Sequence, residues 1–335
     1  MRARASSLGV SLRPHLKTTK SAPIAEIADA GGGATVSTLR EAEYLAEHGH
    51  HDLVWAVCAT PDKLDRAAAL LDRGVSLILL TDDPQVASAI ASHPSDLRAL
   101  IEIDSGDHRT GVLPGSDAML AIGTILGDRL AGVLTHAGQS YRCRSVVEVV
   151  EVAEIERAAV VVAADVLRSA GLPCPVVSVG STPTASHAVS LEGVTEIRPG
   201  VYLLGDLFQV AIGSCALEDI AASVLATVIH RSLDRIVIDA GGLALSKDRS
   251  TAATDHDAGY GRICTLSGDP TDAIVHEVHQ EHGLIRATPG LGLAVGDRVR
   301  VLPNHACMTA AAHDRYHVVD QGTTIEEIWE RANGW

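Results

Sequence analysis

The feature that most constrains this chain is a regular alternation through its first two-thirds. Short apolar, β-branched runs at Leu12–Leu16, Ala34–Thr38, Leu53–Val57, Val75–Leu80, Leu97–Ile103, Gly132–Thr135, Pro175–Val179 and Val194–Ile197 are separated by longer segments. Those segments, among them LREAEYLAEHG, TPDKLDRAAALLDRG, DPQVASAIASH and SDAMLAIGTILGDRL, carry apolar residues at helical spacing. Val147–Ala170 is the longest of them. Eight strands with a crossover after each is the count of a closed (β/α)8 TIM barrel. An open doubly wound sheet ranks second, because such sheets usually have fewer strands.

After about Leu204 the texture changes. VLATVIHR, RIVIDAGGLALS, DAIVHEVHQEHGLIRA and GDRVRVLPNH read as strands joined by Gly and Asp turns, and HEVHQEHGLIRA reads as a hairpin. The expected division is an α/β barrel over 1–203 and a smaller C-terminal β-domain over 204–335. At 335 residues the chain is long enough for both.

A net charge of -15 argues against nucleic acid as a partner, since phosphate binding needs a basic face. No apolar run is long enough for a membrane span, and none follows the arginines of MRARASSLGVSLRPHLK as a targeting leader would require. The six cysteines are scattered without a CxxC pair, which suits a reducing compartment, and a cytoplasmic protein is expected. Five of the six are expected to be small buried apolar residues. Cys307 is the exception.

Functional groups of a (β/α)8 barrel collect where its strands end. Lys17 follows the first strand in RPHLKTTK, Arg109 the fifth in EIDSGDHRTGV, and His136 the sixth in VLTHAGQSY. Gly180, Ser181 and Thr182 follow the seventh, and Arg198 to Gly200 the eighth. Gly180-Ser181-Thr182 offers N–H groups and two hydroxyls at a helix start, which suits a phosphate. A lysine at the barrel mouth opposite a phosphate cradle is what covalent attachment of pyridoxal 5'-phosphate requires. In LPNHACM, His305 and Cys307 stand at i and i+2, so on a strand both side chains share a face. An imidazole and a thiolate can then share one divalent metal, and the soft sulfur favours zinc. His282, in the EHG turn, is a candidate third ligand or substrate contact.

LRPHLKTTK, EIDSGDHRTGV, THAGQSY, VSVGSTPT, TEIRPGVY, IDAGGLALSKDR, EHG and GDRVRVLPNHAC together resemble the D-serine dehydratase and D-threonine aldolase family. That family is related to bacterial alanine racemase, the fold type III pyridoxal-phosphate enzymes. The motifs run in family order from Leu12 to about Val319. The resemblance implies that Lys17 binds the cofactor and that Arg109 lies near its phenolic oxygen. It places Ser181, Thr182, Gly200 and Val201 around the phosphate, with Gly180, His136 and Tyr141 in the same motifs, and Arg198 facing the ring nitrogen. His305 and Cys307 match a dehydratase-type His-x-Cys metal pair, where aldolases more often carry Asp in place of the Cys. Thr19, Met308 and Ala311 depart from the family's usual His, Pro and Asn, and a segment that precedes the lysine motif in relatives is not seen.

The activity so implied is removal of water and ammonia from D-serine or a related D-β-hydroxy amino acid, giving a 2-oxo acid. Retro-aldol cleavage of D-threonine to glycine and acetaldehyde is the nearest alternative, and a non-catalytic pyridoxal-phosphate-binding paralogue the next. The small D-amino acid is the expected partner, and a homodimer is implied by the resemblance.

Overall fold

Every apolar run of the first two-thirds carries a strand. In the computed structural model, which describes residues 1–28, 31–320 and 322–334, these are β1 (Ser11–Leu12), β2 (Ala34–Val36), β3 (Asp52–Cys58), β4 (Ser76–Thr81), β5 (Arg98–Glu102), β6 (Leu130–Leu134), β7 (Val176–Val179) and β8 (Glu196–Ile197). They pair in the order β1-β8-β7-β6-β5-β4-β3-β2, all in parallel. The two ends of the sheet meet at a parallel bridge between His15 and Thr35. There the Leu16 N–H donates to Thr35 O and the Thr35 N–H to Pro14 O, both at 2.8 Å. The ring closes, and the fold is the (β/α)8 barrel rather than the open sheet.

Parallel strands covered by crossover helices are buried on both faces, and so read as unbroken apolar runs. β6 (LAGVL) is buried at all five positions. Helix starts are fixed by side-chain caps that take up otherwise unpaired N–H groups. Thr38 caps Leu39–Glu47, Asp83 caps Pro84–Ser92, Ser116 caps Asp117–Leu126 and Ser145 caps Val146–Ser169.

The described chain divides into two compact units, Met1–Gly200 with the chain from Ala332 onward, and Val201–Arg331. The second unit is built on β9 (Val224–Arg231), β10 (Arg235–Ile238), β11 (Gly261–Cys264), β12 (Pro270–Val278), β13 (Gly283–Arg286) and β14 (Arg298–Pro303). These close an antiparallel barrel in the order β10-β13-β12-β11-β14-β9. Its core includes Val228, Ile236, Ile238, Ile263, Val275, Ile285, Val299 and Val301. HEVHQEHGLIRA forms the β12–β13 hairpin. β11 and a separate pair, β15 (Arg315–Val318) with β16 (Glu327–Glu330), were not anticipated. Among the described residues no helix is long and apolar enough to cross a membrane.

Candidate active site

Within the barrel unit the chemically capable residues do gather where the strands end. Glu196 on β8 and Arg198, the residue just past that strand, both meet Ser178. Ser178 on β7 donates to Glu196 Oε1 at 2.6 Å and accepts from Arg198 Nη1 at 2.7 Å. Arg198 Nη2 donates to Thr135 O at 2.6 Å, while its buried Nε has no partner among the described residues. Burial lowers the Arg198 guanidinium to about 10, against the pull of Glu196, Glu156 and Glu102. It therefore keeps its charge at neutral pH.

His136 hydrogen-bonds Gly180 O through Nδ1 at 2.8 Å, and its ring centroid lies 6.2 Å from that of Tyr141. Burial, then the positive charges of Lys17, Arg198 and Arg109, push it down to about 3. The ring is neutral at any ordinary pH. His15, buried beneath, is held well below the usual histidine range by burial, with the Lys17 and Arg198 charges adding to it. Lys17 lies in the turn after β1, exposed, and its backbone N–H donates to His15 Nδ1 at 3.4 Å. Arg109 is also exposed, with its guanidinium 4.0 Å from Asp107, a carboxylate it shares with Arg142 at 3.7 Å.

The loops after β6 and β7 are pinned by a residue that the motifs did not single out. Glu156, 1% exposed on the helix Val146–Ser169, accepts from the Ala137 N–H at 2.8 Å and the Gly180 N–H at 3.1 Å. Burial raises its carboxyl above the usual range. Replacing Glu156 with Ala strands two buried donors, each costing about 1–3 kcal/mol. We expect a loss of about 3 kcal/mol or more in urea unfolding, and a smaller one for Glu156→Gln, which keeps an acceptor.

The two glycines expected at the phosphate have duties within the fold. Gly180 has φ +138°, and a Cβ there would sit 2.7 Å from Arg198 N, while one on Gly200 would sit 2.6 Å from His15 O. The Gly180 N–H is engaged by Glu156, and the Ser181 N–H donates to Thr184 Oγ1 at 3.1 Å in a capping box. The Ser181 hydroxyl also meets Ser140 Oγ at 2.9 Å. No described residue accepts from the backbone N–H of Gly200 or Val201, although both residues are buried.

In the second unit the pair in LPNHACM is not on a strand, which corrects the expectation. β14 stops at Pro303, and His305 is the N-cap of the helix Ala306–Ala310. The chain turns because the Asn304 side chain donates to Thr251 Oγ1 at 2.6 Å and to Gly259 O at 2.7 Å. Buried Asp206 then accepts the Ala306 N–H at 2.8 Å. His305 and Cys307 still interact, now across the first turn of a helix. Asp248 Oδ2 lies 2.6 Å from His305 Nδ1. Burial works against a charged His305, but the Asp248 hydrogen bond and Cys307 prevail and hold it up at about 10.

His282 is exposed and belongs to no group of three metal-capable side chains among the described residues. No cysteine is in a disulfide, and Cys143, Cys174 and Cys264 are buried but Cys58 and Cys215 half-buried, not the five buried ones expected. Cys58 donates to Glu102 Oε2 at 3.0 Å, a polar partner that five apolar cysteines did not foresee.

Known proteins bear on this geometry throughout the chain. Residues 1–207 match the family "Alanine racemase, N-terminal domain", and residues 221–319 match "Putative serine dehydratase domain". D-threo-3-hydroxyaspartate dehydratase of Delftia sp. (strain HT23) is 45% identical over 357 residues, covering 100% of this chain and 93% of that one. Its structure superposes with a TM-score of 0.94 at 44% identity, covering 100% and 93% of the two chains. Two further structures of D-threo-3-hydroxyaspartate dehydratase are a histidine-to-alanine mutant and a cysteine-to-alanine mutant in the metal-free form, the altered positions being two residues apart. D-serine dehydratase of Dictyostelium discoideum is 29% identical over 371 residues, covering 100% and 93%. The structure of D-threonine aldolase from Filomicrobium marinum has a TM-score of 0.84 at 26% identity, covering 99% and 90%.

Proposed function

This chain belongs to the family of D-serine and D-threo-3-hydroxyaspartate dehydratases built on the alanine racemase fold, and from that premise we propose that it is a pyridoxal-phosphate- and metal-dependent dehydratase of D-β-hydroxy amino acids. The observation that carries the reading is the pair His305 and Cys307. Its spacing equals that of the histidine and cysteine altered in the D-threo-3-hydroxyaspartate dehydratase structures, one of them metal-free. Identity of 45% against 29% makes D-threo-3-hydroxyaspartate the first substrate to test, ahead of D-serine.

The residues at the barrel mouth fit the cofactor on two independent counts. Arg198 Nε is a buried donor with no partner among the described residues, as a ring-nitrogen contact needs. The N–H groups of Gly200 and Val201 are likewise unpartnered among the described residues, as a phosphate needs. With Gly180 and Ser181 N–H engaged inside the fold, the phosphate falls to Gly200, Val201, Thr182 and the Ser181 hydroxyl. Arg109 and Tyr141 contribute from the loops after β5 and β6, and neutral His136 adds no further charge beside them. In the second unit, the His305 imidazole and the Cys307 thiol are a donor set that suits zinc.

When bound, pyridoxal phosphate supplies an electron sink for Cα and the metal supplies Lewis acidity to the β-hydroxyl. Lys17 carries the cofactor and takes the Cα proton. Arg198 keeps its charge and orients the ring, and the mouth of cations around His136 favours an anionic substrate. The enzyme is expected to work as a homodimer.

The test is to incubate the protein separately with D-threo-3-hydroxyaspartate, D-serine and D-threonine. Ammonia with the matching 2-oxo acid from either of the first two is the expected outcome. Glycine and acetaldehyde from D-threonine, with no ammonia from any of the three, would make it an aldolase. No product with cofactor bound would make it a non-catalytic paralogue.

A further inference from the structure

Beside the metal pair lies a carboxylate that neither the motifs nor the relatives' descriptions assign. Asp248 is 57 residues from His305 in sequence, yet its Oδ2 stands 2.6 Å from His305 Nδ1. The carboxylate is itself held. Ser250 Oγ donates to Asp248 Oδ1 at 2.8 Å and lies 3.5 Å from the same Nδ1, and the Asp248 N–H donates to Ser246 Oγ at 2.9 Å. The loop is anchored in turn, because the Thr251 N–H donates to Asn304 Oδ1 at 3.2 Å.

We propose that Asp248, braced by Ser250, is a positioning residue that fixes the His305 ring so that Nε2 is the nitrogen offered to the metal. An imidazole has two nitrogens, and the hydrogen bond at one decides the tautomer and the orientation of the other. With Nδ1–H directed to Asp248, Nε2 is the nitrogen that would give up its proton and offer its lone pair to the metal. The carboxylate also makes that nitrogen more basic and so a better ligand. Asp248 reaches the metal only through His305. The inference rests on the metal reading given above.

The test measures binding of Zn2+ alone, by calorimetry, to the purified protein and to Asp248→Asn, Ser250→Ala and Cys307→Ala, with melting temperature alongside. Asp248→Asn is expected to weaken zinc by about 10- to 100-fold, as loss of a ligand's orienting partner does. Its metal-free melting temperature should fall only modestly, because the Asn side-chain oxygen still accepts from Nδ1–H while the charge pairing is lost. Ser250→Ala should weaken zinc by a few-fold, and it keeps the question answerable if Asp248→Asn fails to fold. The visible spectrum of the Co2+-loaded protein should keep its band positions in both variants. Wild-type affinity in Asp248→Asn, while Cys307→Ala loses zinc, would overturn the positioning role and leave the metal reading standing. A changed Co2+ spectrum would make Asp248 a ligand and also overturn it. No zinc binding by the wild type would remove both readings together.

Discussion

Replacing Lys17 with alanine is expected to abolish covalently held cofactor and to lower turnover by roughly four orders of magnitude or more. On the proposed reading two roles would be lost at once, attachment of the cofactor and removal of the Cα proton. The lysine stands in the turn after β1, and its charge is one of those that depress His136 and His15. Borohydride reduction of the wild type, followed by peptide mapping, should place the pyridoxyl group on Lys17. Lys20 is the nearest rival in sequence, but its backbone carbonyl accepts from the Ala332 N–H at 2.8 Å and its φ is +46°. Lys17→Arg separates chemistry from charge. It retains a cation beside His136 but cannot form the covalent link, so it should be as inactive as Lys17→Ala. Visible absorbance surviving in Lys17→Ala, or a label on Lys20 or Lys247, would reject the assignment.

The barrel was legible because its strands are buried on both faces, so each wrote an apolar run into the sequence. The loops that follow them take their positions from the fold, which is why Lys17, Arg109, His136, Ser181 and Arg198 can be placed at strand ends from sequence alone. Glu156 carries a signal of a different kind. It falls in helical register with the buried Val149, Ala153, Val160, Ala163 and Leu167, and an acid on an apolar stripe demands buried partners. Those partners proved to be the Ala137 and Gly180 N–H groups.

The second unit was harder to read for a physical reason. Strand pattern alone cannot tell where a strand stops, and LPNHACM has the alternation of a strand up to Pro303. What ends it are the contacts of Asn304 with Thr251 and Gly259 and of Asp206 with Ala306. None of these partners is near in sequence. The pairing of His305 with Cys307 was therefore expected from the wrong geometry, a shared strand face, and is made instead by a helix cap. Asp248 had no periodic signal at all, being brought in by the loop before β11.

Cys307→Ala and His305→Ala are expected to empty the metal site while leaving the cofactor spectrum in place. Metal analysis should fall from roughly one ion per chain, the number for one catalytic site, to near none. Activity should fall by roughly 10²- to 10⁴-fold, the kinetic equivalent of the several kcal/mol that a Lewis acid gives to a poor leaving group. Stability should change little in Cys307→Ala. The thiol is only half-buried, beside Val201, Leu204, Ala306 and Ala310, and its replacement by a methyl keeps most of that packing. A coincident loss of cofactor absorbance and melting temperature would instead make Cys307 a structural residue. Cys307→Asp then asks what the sulfur is for. A carboxylate can still ligate beside His305, but it is a harder donor. The variant should regain metal with its preference moved from zinc toward manganese or magnesium. If it binds zinc as tightly as the wild type, softness is not what the thiolate provides. If dehydration recovers along with the metal, the cysteine serves to hold the ion and does not by itself select elimination over cleavage. Recovery of metal together with glycine and acetaldehyde from D-threonine would show that this one ligand does bias which bond the site breaks.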